Sequence, residues 1–129
     1  PIAARLTWRD YIMPTELEEA LYWQIVEAML PEPERDALYL KGRKFRADFL
    51  WRKQKVVAEV QGGTYQHMGH STGKGLERDY TKCDLSMLAG FRYFQFSKEM
   101  IENGFAIECL TKALEHNEDC NDAENNRTI

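Results

Sequence analysis

The stretch from residue 43 to residue 61, RKFRADFLWRKQKVVAEVQ, has the pattern of two β-strands joined by a tight basic turn. In each half, apolar residues occupy every second position, which places them on one face of a sheet. The expected apolar rows are Phe45, Ala47, Phe49 and Trp51 in the first strand and Val56, Ala58 and Val60 in the second. The opposite face then carries Arg46, Asp48, Leu50, Val57, Glu59 and Gln61.

The turn determines which residues face each other. If residues 52–55 form the loop, Trp51 faces Val56 and Asp48 faces Glu59. Opposed residues in a hairpin have Cβ atoms about 4.5–5.5 Å apart, and like charges held so close repel each other. Two carboxylates in this arrangement need a cation, and hard oxygen ligands suit Mg²⁺. The hairpin therefore predicts a divalent-metal site.

The rest of the chain predicts helices on both sides of this hairpin. A first helix begins at Thr15, which can form a capping box with Glu18, and it ends before Pro31. The later elements are a short strand at 37–40, a loop to about residue 75, a helix at 76–89, a strand at 91–96, a Ser97-capped turn of helix to Asn103 and a helix at 105–116. Apolar core positions are predicted at Leu17, Leu21, Ile25, Ala28 and Met29 in the first helix and at Leu76, Tyr80, Cys83, Leu85, Met87 and Leu88 in the second.

This order of elements predicts one α/β or α+β domain of three layers, with a central mixed sheet flanked by helices. The domain is expected to span residues 1–116 of the 129, followed by an acidic tail at 117–129 that is expected to be disordered. No apolar run approaches the roughly 20 residues that cross a bilayer. Three cysteines at no metal-binding spacing, and no visible signal peptide, favour a reduced cytoplasmic location without a membrane partner.

Charge is distributed unevenly along the chain. Residues 41–55 carry seven basic side chains and one acid, a net charge of +6, although the whole chain has a net charge of −4. A basic patch around an acidic site is the asymmetry expected of a protein that handles phosphate backbones. The alternative is that Lys and Arg only keep a surface hairpin soluble.

Four short motifs occur in an order that resembles a known family. They are T-x-x-E-x-x-L-aromatic at 15–22, R-x-D-F at 46–49, E-V-x-G at 59–62 with His67 following, and D-x-x-K at 79–82 before Gly90 and a strand. Together they resemble the PD-(D/E)xK nuclease superfamily, in particular the branch of small bacterial and phage proteins that contains the very-short-patch repair endonuclease. The resemblance covers about residues 15–114. Gln61 departs from the Lys that is usual at its position.

The resemblance implies a restriction-endonuclease-like fold and Mg²⁺-dependent hydrolysis of phosphodiesters, with Mn²⁺ expected to substitute. Asp48 and Glu59 would hold the metal with the backbone carbonyl of Val60, and Glu18 would reach the same site or order a metal-bound water. Gln61 can hydrogen-bond the attacking water or a phosphate oxygen, but it carries no charge. His67 would be a general base or a phosphate contact. A capping box alone also explains Glu18.

Eight basic side chains are candidates for contacts with the nucleic acid. Contacts of this kind position DNA without reading its sequence. Lys74 and Lys82 are also candidates to supply the charge that Gln61 lacks, and a helical ion pair of Lys82 with Asp79 is the alternative for that lysine. The eight are Arg43, Lys44, Arg46, Arg52, Lys53, Lys55, Lys74 and Lys82, with Arg46 favoured because it shares the face of Asp48.

These features predict a DNA endonuclease that recognises a structure such as a nick, branch, junction or mismatch, in repair, recombination or phage DNA processing. A chain of 129 residues leaves no room for a separate recognition domain. Cutting both strands of a junction would require a homodimer. Two alternatives stay open: a nucleic-acid-binding module of this fold that has lost catalysis, which Gln61 favours, and a protein-interaction domain whose basic hairpin contacts an acidic partner.

Overall fold

The computed structural model describes residues 14–61 and 73–115. The elements, in chain order, are α1 (Pro14–Glu27), β1 (Glu34–Leu38), β2 (Arg46–Trp51), β3 (Val56–Val60), α2 (Gly73–Leu88), β4 (Arg92–Phe96), α3 (Lys98–Glu102) and α4 (residues 105–115). Ser97 caps α3 by accepting a hydrogen bond from the backbone N–H of Met100, as the sequence predicts.

The four strands form one mixed sheet in the order β1-β2-β3-β4. The first three are antiparallel, whereas β3 and β4 are parallel and are connected through α2. Trp51 pairs with Val56, so the predicted register of the hairpin is confirmed. The turn between them closes with a hydrogen bond from the Lys55 N–H to the Arg52 carbonyl, and Lys55 takes the positive φ of 56° that this turn requires.

Helices cover both faces of the sheet. On one face, α1, α3 and α4 pack on a large apolar cluster built around Phe49, Trp51 and Val56. On the other face, a smaller cluster of Ala47, Leu50, Val57 and Phe91 lies beside α2. There the Ser86 hydroxyl is 2.6 Å from the Tyr39 hydroxyl and the Ser86 carbonyl accepts from the Phe91 N–H at 3.0 Å. The predicted three-layer α+β architecture with a mixed sheet is confirmed.

The predicted apolar row of β2 is wrong at its beginning. Ala47 lies in the smaller cluster with Leu50 rather than with Phe49. Its partner on β1 is Ala37, which packs on the same cluster and directly follows Asp36, a residue with φ of 47°. This left-handed residue interrupts the alternation of faces in β1, because a strand keeps its period of two only while its backbone stays extended, and β2 changes face at the paired position. The change of face occurs at the level of Asp48.

Several apolar residues predicted to be core are exposed. In α1, Leu17, Leu21 and Ile25 are buried as predicted, but Met29 lies beyond the helix and is 89% exposed. In α2 the exposed residues are Tyr80, Met87 and Leu88, whereas the buried one is Ser86. The helix meets the sheet through Ser86 and Lys82, so its inner side is polar and an apolar stripe does not identify it.

Three smaller differences concern boundaries. Strand β1 runs from Glu34 to Leu38, earlier than the predicted 37–40, and α1 and α2 begin at Pro14 and Gly73. The predicted tail at 117–129 and the His67 loop lie outside the described residues, so the domain limits stay a prediction. Within residues 14–61 and 73–115, no helix has the length and apolar content to cross a membrane.

Candidate active site at the open end of the hairpin

Asp48 and Glu59 lie opposite each other where the β2–β3 ladder ends. The backbone pairing reaches Phe49 and Ala58, and the next hydrogen bonds are made by side chains. The Asp48 N–H donates to Oε2 of Glu59 at 3.3 Å, and Oδ2 of Asp48 accepts from the Val60 N–H at 2.8 Å. Each carboxylate therefore binds the backbone of the other strand. This reciprocal arrangement keeps the two acidic groups adjacent despite their charge.

Glu18 brings a third carboxyl group to the same place. It lies one turn inside α1, next to the buried Leu17, and its carboxyl group shares a hydrogen bond with Asp48. Burial, followed by the charge of Asp48 and this hydrogen bond, raises the pKa of Glu18 to about 7, against the opposing charge of Arg35. The raised pKa reflects the negative potential at this place, which would also stabilise a bound cation.

Glu59 is the most enclosed acid of the site, with 6% of its surface exposed. Its Oε1 accepts a hydrogen bond from the Tyr93 hydroxyl at 2.9 Å and forms an ion pair with the ammonium group of Lys82. Burial raises the pKa of Tyr93, so this hydroxyl remains a donor throughout the physiological range. This buried carboxylate therefore has a hydrogen-bond donor and a positive charge beside it without a metal.

Lys82 reaches the sheet from α2. Its Nζ donates to the Arg46 carbonyl at 2.6 Å in addition to its ion pair with Glu59. Burial lowers the pKa of Lys82, and the negative charge of Asp48 opposes that effect. Asp79, the alternative partner on the same helix, lines the same cleft as Lys82. Lys82 thus supplies a fixed positive charge beside both acidic strands.

A basic cleft of about 530 Å³ opens next to the acids. Lys82 lines this cleft and contacts Glu59, so it connects the two regions. A turn closed by the Arg43 N–H and the Leu40 carbonyl, with Gly42 at φ of 76°, leads the chain into one wall. The residues that line the cleft are Arg43, Lys44, Phe45, Arg46, Arg78, Asp79 and Lys82.

The basic candidates of the sequence divide into two groups. Arg43, Lys44, Arg46 and Lys82 line the cleft, whereas Arg52, Lys53, Lys55 and Lys74 do not. Arg52 binds both carboxylate oxygens of Glu34, at 2.9 and 3.1 Å, and Lys55 donates to the Ala89 carbonyl at 3.1 Å. Arg52 and Lys55 therefore stabilise the far end of the hairpin in the fold.

Arg78 is a cleft residue that the sequence reasoning missed. It lies four positions before Lys82 on α2, and residues at this spacing occupy one face of a helix. Once Lys82 is a candidate, this spacing is a signal that identifies Arg78. Arg46, the favoured candidate, is present at the cleft, where its guanidinium donates to the Asp36 carbonyl at 2.9 Å while its side chain remains 55% exposed.

The structure locates Gln61 but does not describe His67, the other two residues predicted to belong to the site. The Gln61 N–H donates to the Phe96 carbonyl at 2.8 Å, which extends the pairing of β3 with β4 directly after Val60. Gln61 is therefore adjacent to the acids in the chain and half-buried. His67 lies outside the described residues.

Some of the oxygen atoms of the candidate site suit a hard cation such as Mg²⁺, and others are already paired. In the part of the chain that the structure describes, no three His, Cys, Asp or Glu side chains form a group that could hold a metal ion. Two carboxyl groups, of Glu18 and Asp48, nevertheless share a single hydrogen bond, and oxygen donors of this kind suit Mg²⁺. The fit therefore rests on the Glu18–Asp48 pair, with the Glu59 charge already balanced by Lys82.

Comparisons with known proteins place the fold. No family model matches the chain, and no curated protein sequence matches it. A solved structure that is similar is the catalytic domain of the homing endonuclease I-Bth0305I, with a TM-score of 0.61 and 14% sequence identity over 78% of this chain and 95% of that chain. At this identity the similarity shows the fold alone.

Proposed function

We propose that this protein is a metal-dependent DNA endonuclease that hydrolyses phosphodiester bonds. The observation that carries the proposal is the meeting of Glu18, Asp48 and Glu59 beside Lys82, which also lines a cleft of basic side chains. Hydrolysis of a phosphodiester requires acidic side chains that hold a cation and basic side chains that hold the phosphate backbone. The fold, which is similar to that of a homing endonuclease catalytic domain, supports the proposal.

The residues have distinct tasks in this proposal. Asp48 and Glu18, with the Val60 carbonyl, would hold Mg²⁺ or Mn²⁺, while Glu59 orients Asp48 through its backbone N–H. The metal, when bound, lowers the pKa of a water and offsets the charge that develops on the phosphate. Lys82 adds a positive charge to the lining of the cleft. The uncharged Gln61 is limited to hydrogen-bonding the attacking water or a phosphate oxygen. His67 stays a proposed base or phosphate contact.

The finer parts of the proposal follow the family resemblance. The very-short-patch-like motifs favour a substrate defined by structure, such as a nick, branch, junction or mismatch, in repair, recombination or phage DNA processing. Cutting both strands of a junction would require a homodimer. The basic cleft is small relative to a duplex, which also favours a local structure over a long recognition sequence.

Two observations favour a second function. The ion pair between Lys82 and Glu59 balances a carboxylate that the family would use for metal, and Gln61 replaces a charged residue. Both features suit a nucleic-acid-binding module of the same fold without catalysis. Such a module would bind DNA equally well with and without a divalent ion.

A cleavage panel separates the two functions. The substrates are linear duplex, single-stranded, nicked, flapped, mismatched and four-way DNA, each incubated with Mg²⁺, with Mn²⁺ and with EDTA. The endonuclease cuts at least one structured substrate in the presence of either metal and none in EDTA. Binding without any cleavage across the panel would establish the module instead, and the absence of both would favour the protein-interaction domain.

A further inference from the structure

Phe45 is an aromatic side chain outside the core. Its position in the alternating sequence predicts that it joins the apolar row of β2, but the strand begins one residue later, at Arg46. Among the described residues, Phe45 belongs to neither apolar cluster, and it lines the basic cleft half-buried. The two apolar clusters therefore do not explain this aromatic residue, which lines the cleft together with basic side chains and Asp79.

The chemistry of the cleft suits a base together with its phosphate. Arg43, Arg46 and Arg78 line the same cleft as the ring of Phe45. Sites for single-stranded nucleic acid combine basic side chains for the backbone with aromatic rings on which bases stack. Every base has a flat π-face, so this combination accepts an unpaired nucleotide of any sequence.

The size of the cleft argues for an unpaired nucleotide over a duplex. Its volume of about 530 Å³ falls in the range of pockets that enclose small ligands, about 300–1,000 Å³. A base inside a duplex is stacked on its neighbours and cannot offer its face to Phe45 unless it leaves the helix. That exit costs least at a flap, bulge or mismatch, where stacking or pairing is already lost.

We propose that this cleft, between the start of β2 and α2, is a binding site for one unpaired nucleotide, whose base stacks on Phe45 and whose phosphate contacts the arginines. The inference rests on the proposed function and narrows its substrate to DNA with an unpaired base. Because Lys82 lines the cleft and also forms an ion pair with Glu59, the nucleotide site adjoins the candidate active site through Lys82.

Equilibrium binding in EDTA tests the site without catalysis. Two fluorescein-labelled duplexes of the same length are compared by anisotropy with the full chain; one is fully paired and the other has one unpaired nucleotide. Wild type is expected to bind the second about five- to a hundredfold more tightly, the scale of one base–aromatic stack. Phe45→Leu should remove this preference, and Phe45→Trp should retain it.

Phe105→Leu is the matched control, because Phe105 is a half-exposed phenylalanine at the start of α4, outside the cleft. It should bind both duplexes as wild type does. Equal binding of the two duplexes by wild type, or an unchanged preference in Phe45→Leu, would overturn the inference. Should Phe45→Leu fail to fold, photocrosslinking of an unpaired 5-iodouracil to wild type decides: attachment at Phe45 supports the site and attachment elsewhere overturns it.

Cleavage with Mg²⁺ or Mn²⁺ is measured separately on the same two duplexes. Cleavage without a binding preference would overturn the nucleotide site and leave the nuclease proposal standing. A binding preference without cleavage would support the site and overturn the nuclease.

Discussion

The ammonium group of Lys82 on α2 forms an ion pair with the buried carboxylate of Glu59 on β3. Their side chains are 16% and 7% exposed, so both charged groups are largely withdrawn from water. Removing one partner of such a pair leaves an uncompensated buried charge, which is costly. This pair therefore contributes to the fold as well as to the candidate site.

Lys82→Met should lower the free energy of unfolding by about 3 kcal/mol, the scale of breaking a buried ion pair. The measurement is urea denaturation in EDTA, so that metal binding does not contribute. Lys112→Met is the control, because Lys112 pairs with Glu108 on the surface of α4 at 3.1 Å with both side chains mostly exposed. An exposed pair of this kind contributes less than about 1 kcal/mol. Equal effects of the two substitutions would contradict the prediction.

The stability of the metal-free protein should fall as the pH rises from about 5 to about 8. Glu18 has a pKa of about 7 in the folded protein, chiefly through burial, and an unfolded glutamate titrates near 4.3. The folded state therefore binds the proton more tightly, and the stability that this adds is lost as the pH rises through 7.

Glu18→Gln should consequently be more stable than wild type at about pH 8, by the order of 1 kcal/mol after allowance for solvent screening, and indistinguishable near pH 4. Thermal unfolding in EDTA measures the difference in stability at each pH. Glu19→Gln, on the neighbouring position, removes an exposed pair with Arg35 instead and should not gain stability at high pH. A pH-independent difference between Glu18→Gln and wild type would refute the raised pKa of Glu18.

Arg78→Gln should weaken DNA binding and reduce the salt dependence of the binding constant. Each phosphate contact contributes about 0.9 to the slope of log K against log salt, so the slope should fall by about one. Lys53→Gln removes a charge from the turn at the far end of the hairpin, outside the cleft, and should leave the slope unchanged. If both substitutions changed the slope equally, the cleft would not be the DNA-binding surface.

Asp48→Asn and Glu59→Gln should each reduce cleavage at least about a hundredfold, the scale of losing one preorganised charged group at a reacting centre. Asparagine still accepts the hydrogen bond from the Val60 N–H, so Asp48→Asn should keep the fold. Glutamine still accepts from Tyr93 but leaves the Lys82 ammonium group without its partner, so cleavage by Glu59→Gln is measured at a temperature where circular dichroism shows the variant to be folded. Asp84→Asn, at an exposed position of α2, is the matched control and should cut at the wild-type rate. Cleavage by Asp48→Asn at the wild-type rate would show that Asp48 has no role in the reaction.

The hairpin is the part of the protein that its sequence predicts best. Alternation and a short loop determine a register, and the register alone brings Asp48 and Glu59 together. The alternating sequence does not show the residue at which the side chains of β2 change face. Ala47 and Phe49 lie on different faces beside the left-handed Asp36 of β1, and the local pattern of β2 does not show this irregularity.

The contacts of α2 were beyond prediction for a different reason. A sequence pattern identifies the buried side of a helix only when that side is apolar. Here Ser86 and Lys82 make the contacts with the sheet, while Met87 and Leu88 face outward. The partner of Glu59 and the presence of Arg78 in the cleft depend on this docking, so both emerged only from the assembled fold.

The side chains of Asp48 and Glu59 serve as the last rungs of the β2–β3 ladder, since each occupies an amide on the opposite strand. An ion that draws either carboxylate toward itself must loosen that rung. Metal binding at the site is thus linked to opening of the strand ends. The exchange rates of the Asp48 and Val60 amide protons therefore indicate whether the metal is bound. Faster hydrogen exchange at those two amides on adding Mg²⁺, in a sheet that is otherwise protected, would reveal loading of the site without any substrate.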